Sequence, residues 1–269
     1  MKTGYEIFSE QKSLIYSLVI IGFIFLMANL LNEEDHPLIE NWYFTDILYI
    51  IVPAITIIFG TVLSVKYRGK GNHGKAWILL TLAVSSWYVG EMTFVYDNEY
   101  DVEDITTFAS DISYIIGYPL FFAFAMCYLS TRKRVITKKM ILAASIVSLA
   151  FIVPSLSISF NLEGEELELV EIVIMSIYPV LDGVLLAPAL VGMMLFFRGQ
   201  VNLLWTLMMV GFLCNVVADT LYLNSSIDDL YYPGHVSDIF YIWGYVLFTF
   251  GFYSHINLYR KEPSKKLKI

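Results

Sequence analysis

Eight apolar runs, each close to the length of a bilayer crossing, take up most of this 269-residue chain and leave little choice of fold. They lie at about 13 to 32, 46 to 66, 76 to 96, 109 to 130, 140 to 160, 171 to 197, 200 to 223 and 237 to 259. The hydrocarbon core of a bilayer is crossed by about 20 residues of helix, and every backbone polar group inside it must find its partner within the protein. The chain is therefore read as an all-α integral membrane protein with eight transmembrane helices. A composition 57% hydrophobic and 16% charged, with mean hydropathy +0.64, excludes a soluble domain of this length. A polar lead precedes the first run and no small-residue cleavage site follows Asn29-Leu30-Leu31, so this run is expected to be a retained helix. Nothing remains for a soluble catalytic domain.

The connections alternate in charge. Lys66, Arg68, Lys70 and Lys75 lie in the second, Arg132, Lys133, Arg134, Lys138 and Lys139 in the fourth, Arg198 in the sixth, and Arg260, Lys261, Lys265, Lys266 and Lys268 in the tail. With Lys2 and Lys12, all 17 basic residues fall on one side. The positive-inside rule makes that side cytoplasmic, so both termini are expected in the cytoplasm of a multi-pass cell-membrane protein. The opposite connections, NEEDHPLIEN, DNEYDVED, NLEGEELELVE and NSSIDDLYYPGH, carry carboxylates and no Lys or Arg. The net charge of -8 thus describes an acidic outer face. It excludes a nucleic-acid partner, and topology together with anionic lipid accounts for the basic loops. Cys127 and Cys214 both fall inside apolar runs, which leaves no disulfide framework or CxxC metal site.

Residues 110 to 122, SDISYIIGYPLFF, return at 237 to 249 as SDIFYIWGYVLFT, with nine of thirteen positions identical. The match extends outwards. Trp77 and Glu91 align with Trp205 and Asp219 at an offset of 128, Asp111 with Asp238 at 127, and Tyr49 with Tyr178 at 129. The chain reads as two four-helix repeats, 1–133 and 134–269, related by a pseudo-two-fold axis along the membrane normal. Such an axis predicts a site at the seam between the halves.

Six acids lie in or at the edge of the apolar runs: Asp46, Glu91, Asp111, Asp182, Asp219 and Asp238. A carboxylate in a span costs about 2.5 kcal/mol or more, so each needs a partner, a proton or an exposed position. Asp111 and Asp238 each follow a serine at a helix start, where capping is one explanation. Capping does not explain why Tyr114 and Tyr118, and again Tyr241 and Tyr245, share the face of each aspartate; packing between helices is the alternative for them. Glu91 and Asp219 are read as lying near helix C-termini, where the dipole disfavours an anion, and Asn215, four residues before Asp219, is expected to donate to it. Asp182 sits deepest, between Pro179 and Pro188, and its counterpart is Pro53.

If these helices meet, Glu91, Asp111, Asp182, Asp219 and Asp238 line one outward-facing cavity, walled by Tyr114, Tyr118, Tyr241, Tyr245, Trp87 and Trp243. The competing reading has each aspartate cap its own helix while the tyrosines form an aromatic belt. His235 could share a metal with Asp238, although the aligned position is Phe108; His36 and His73 read as loop residues, and His255 has no evident partner. The residues name no cofactor and no metal, and there is no phosphate loop, hydrolase serine motif or intramembrane lysine for a Schiff base.

Two resemblances bear on function. The run Tyr178, Pro179, Asp182, then Asp219, then SD-xx-Y-xx-GY resembles the multi-helix membrane sensory regions that precede cyclic-dinucleotide and kinase domains in bacterial signalling proteins. It implies a ligand sensor, which here would need a separate cytoplasmic signalling partner. Gly211 with Asp219, and Gly90 beside Glu91, are similar to the lysoplasmalogenase family, whose members have eight helices and an internal repeat, although that family carries aspartate where Glu91 stands. That likeness implies hydrolysis of a lysolipid vinyl ether, begun by carbon protonation, with Glu91 and Asp219 as catalytic acid and base. The expectation drawn is a cavity that binds a small ligand or cation for sensing; the alternatives are the lipid hydrolase and, third, a small-solute transporter.

Overall fold

A computed structural model describes residues 4–31, 42–100, 105–160, 169–196, 201–227 and 230–260. They form eight helices: α1 (Gly4–Leu31), α2 (Phe44–Tyr67), α3 (Gly71–Tyr100), α4 (Ile105–Ser130), α5 (Lys138–Phe160), α6 (Leu169–Phe196), α7 (Asn202–Ile227) and α8 (Val236–Arg260). Seven are long and apolar enough to cross a membrane. The eighth span rests on α5, several of whose side chains lie outside the described residues, and α5 is not among the seven.

Six helices close a ring in the order α2, α3, α4, α6, α7, α8, while α1 packs outside on α8 and α5 outside on α6. The two outer helices show why they lie there. Leu14, Leu18, Val19, Phe23 and Leu26 of α1, and Leu142, Ile146 and Val153 of α5, are exposed apolar side chains, as lipid-facing surfaces require. Side-chain pairs fix the ring's directions. Ser86 donates to the Ser113 carbonyl and Asn72 to Ser130, so α3 and α4 run antiparallel. Tyr49 meets Asp238 and Tyr67 meets His255, so α2 and α8 run parallel. Asp111 with Tyr178, and Tyr118 with Asp182, make α4 and α6 parallel too.

The core is layered along the bundle. At one end stand the acids and tyrosines. Below them Phe121, Phe212 and Phe248 pack together with ring centroids 5.0–5.8 Å apart, Phe212 meeting both of the others edge-on. At the basic end Trp77, Trp205, Tyr128 and Phe124 form a fully packed floor. His73 is not a loop residue: it lies in the first turn of α3, accepts a bond from Trp77 Nε1 at 3.2 Å and lies beside His255 with ring centroids 5.8 Å apart, and His255 in turn bonds the Tyr67 hydroxyl at 3.3 Å. His36 lies outside the described residues.

Candidate functional site

The helices extend beyond their apolar runs, and this relocates several acids. α3 continues through the polar Asp97-Asn98-Glu99 to Tyr100, and α7 continues to Ile227. Glu91 and Asp219 therefore stand well inside their helices, where backbone carbonyls are already paired and the terminal dipole is weak. α4 starts at Ile105, so Asp111 caps nothing. Asp238, third residue of α8, does accept the backbone N–H of Gly234 at 2.7 Å and holds the helix entry in part. Asp46 is a local device of the same kind, accepting the Tyr43 N–H at 2.8 Å at the start of α2.

The other five acids meet tyrosine hydroxyls. Glu91, 4% exposed, accepts from Tyr114 and from Tyr245, one to each oxygen, both at 2.8 Å. Asp111 accepts from Tyr178 at 2.5 Å. Asp238 accepts from Tyr49 at 3.1 Å and from Tyr231 at 3.3 Å. Asp219 accepts from Tyr241 through a short bond and from Tyr118 at 3.3 Å, and Tyr118 also reaches Asp182 at 2.9 Å. The Tyr118 hydroxyl thus stands within reach of both Asp182 and Asp219.

Each acid's hydroxyl donors are neutral, and none of the five has a Lys, Arg or His partner among the described residues. Asp182 and Asp238 are buried as completely as Glu91, whereas Asp111 and Asp219 retain some exposure. Trp87 joins the wall, its ring 5.4 Å from that of Tyr118 and its Nε1 donating to the Tyr114 carbonyl at 3.0 Å. The glycine of each SD-xx-Y-xx-GY run is needed because another side chain occupies the place of its Cβ: the Trp87 indole at Gly117, and Asn215 Oδ1 at Gly244, 2.8 Å from where that Cβ would lie.

Three expectations are corrected. Asn215 does not donate to Asp219; its amide turns to Gly244 and its Nδ2 is buried without a partner. Trp243 faces Phe25 of α1 and Phe240 rather than the acids, because α1 covers that side of α8. His235 spends its Nδ1 on Ser237 Oγ at 2.9 Å, and no group of three metal-ligating side chains exists among the described residues. Conversely, Tyr49, Tyr178 and Tyr231 belong to the site although the spacing around the aspartates did not include them. The alignment of Tyr49 with Tyr178 was the available signal. No family model, curated protein or solved structure matches this chain.

Proposed function

We propose that this chain is an eight-span cell-membrane protein of two four-helix repeats, 1–133 and 134–269, with both termini cytoplasmic. Its acid-end core binds a small cation, and it acts as a sensor whose bound state passes to a cytoplasmic signalling partner at the basic end. One observation carries the binding reading: five carboxyl groups inside the bundle receive bonds from neutral hydroxyls and, among the described residues, no cationic side chain offsets them. Buried anions without compensation recruit positive charge from outside, as protons or as a ligand.

The duplication is supported by wiring that repeats position for position. Tyr114 on Glu91 corresponds to Tyr241 on Asp219, Tyr245 on Glu91 to Tyr118 on Asp219, and Tyr49 on Asp238 to Tyr178 on Asp111. The phenylalanine layer beneath the acids favours binding over passage through the bundle.

The test is thermal stability of the detergent-solubilised chain with and without inorganic and organic cations, for wild type and Asp219→Asn. A bound cation at about 100 times its Kd adds about 2.7 kcal/mol to the wild type and less to the variant. If no cation raises the melting temperature of the wild type, the cation-binding reading is wrong.

A further inference from the structure

Trp77 and Trp205 occupy matching positions in the sequence repeat, and both are buried in the floor at the basic end, yet their surroundings differ. Trp205 lies against Tyr128 and Phe196, with ring centroids 5.2 and 6.0 Å away, and four residues before it stands Val201. The matching places around Trp77 hold His255, Tyr67 and His73. The His255 and Tyr67 rings lie 4.6 and 6.3 Å from the indole, and the two histidine rings 5.8 Å from each other. One copy of this niche therefore packs with valine, phenylalanine and tyrosine alone. The other carries two imidazoles, the side chain whose charge changes near neutrality.

The bonds locate a proton. An indole N–H donates and never accepts, so the 3.2 Å bond from Trp77 Nε1 makes His73 Nε2 the acceptor and leaves the proton of the neutral ring on Nδ1. Packing does not require this bond, since Trp205 Nε1 in the other copy is buried with no partner. A second proton on His73 turns Nε2 into a donor that confronts the Trp77 N–H, and the bond is lost. His73 is half-buried and open to protons from the basic side, whereas His255 is fully buried against Trp77 and bonded to the Tyr67 hydroxyl.

We propose that His73 is a proton-binding switch at the basic end: its protonation breaks the bond to Trp77, sets a cation beside His255, and loosens the floor where α2, α3, α4 and α8 meet. The inference does not depend on the cation-binding reading given above. The titratable and charged groups around His73 are Tyr67 and Lys66 from α2, Tyr128 from α4 and His255 from α8, with Lys70 and Lys75 exposed on either side of it along the chain. Every acid of α2, α3, α4 and α8 stands towards the opposite end, so no carboxylate of these helices accompanies the new charge. Tyrosine and lysine keep their protons up to about pH 10, so the group that changes state near neutrality is an imidazole.

The experiment is nuclear magnetic resonance of the full chain in detergent, with histidine and tryptophan labelled with the heavy nitrogen isotope, across about pH 8 to 5. Histidine signals are assigned by single His→Gln variants and the Trp77 indole by Trp77→Phe. At the upper end the His73 ring should carry its proton on Nδ1. As pH falls both nitrogens should become protonated, and the Trp77 indole N–H should shift with the same midpoint. His73→Val copies the residue at Val201, and in that variant the Trp77 signal should no longer follow pH. A neutral His73 ring protonated on Nε2, or a Trp77 signal that stays still while His73 titrates, overturns the inference. Thermal melts give an independent reading: between about pH 7.5 and 5.5 the wild type should lose roughly 2–4 °C more than His73→Val, the loss expected for one hydrogen bond. Equal losses would show that the proton does not reach the floor, and would overturn the switch even if His73 titrates.

Discussion

Replacing Tyr245 by phenylalanine removes one oxygen and leaves the ring, so the change isolates a single bond. That hydroxyl donates to Glu91 Oε1 at 2.8 Å, in a place where Tyr245 is 2% and Glu91 4% exposed. Phenylalanine fills the same volume, and no cavity contribution is expected. A hydrogen bond to a charged group contributes about 1.5–3 kcal/mol. For a chain of this size each kcal/mol moves the melting temperature by about 2–4 °C, so Tyr245→Phe should lower it by roughly 3–12 °C. The same change in a Glu91→Gln background removes only a neutral bond, and about 1 kcal/mol is expected there. Thermal melts of the four proteins in one detergent complete the cycle. A loss under about 1 °C would show that the bond contributes nothing. Equal losses in both backgrounds would show that Glu91 bears no charge when Tyr245 binds it, and would refute the magnitude given.

Tyr118→Phe should destabilise more than Tyr114→Phe, because one hydroxyl serves Asp182 and Asp219 while the other serves Glu91 alone; chemical denaturation of both variants compares them. Gly117→Ala should destabilise by about 1–3 kcal/mol, since its Cβ would overlap the Trp87 indole, and a paired Trp87→Leu change should recover part of the loss in the same melts. Burial lowers the pKa of His235, just outside α8, below its ordinary 6.5. The folded chain then binds fewer protons than the unfolded one, so this contribution is complete above the ordinary value and disappears as pH falls through the lowered one. Wild type should lose more stability than His235→Gln between about pH 7 and pH 5, as melts across that window would show.

The acids were legible in the sequence because charge inside an apolar run is conspicuous, and the tyrosines because they share a helical face with them. The eight helices also follow from length and hydropathy, whereas their closure into a ring does not. What spacing along one helix could not supply is which hydroxyl meets which acid. Tyr49 reaches Asp238 only because α2 and α8 happen to lie side by side and parallel, far apart in the chain. Helix ends do not follow polarity either. Asp97, Asn98 and Glu99 read as loop because they are polar, yet α3 runs through them, and this is what moves Glu91 away from a terminus. Asn215 was placed on the correct face, but a glycine on α8 offered the space its amide turned into.

Every acid of the site accepts at least one hydroxyl from across the midpoint of the chain. Glu91 depends on Tyr245, Asp111 on Tyr178, Asp182 and Asp219 on Tyr118, and Asp238 on Tyr49. A polypeptide cut between residues 133 and 134 would leave each fragment holding carboxyl groups whose donors sit on the other. The fragments are thus mutual chaperones: each is an incomplete solvent for its own charges, and assembly in the membrane is the step that completes both.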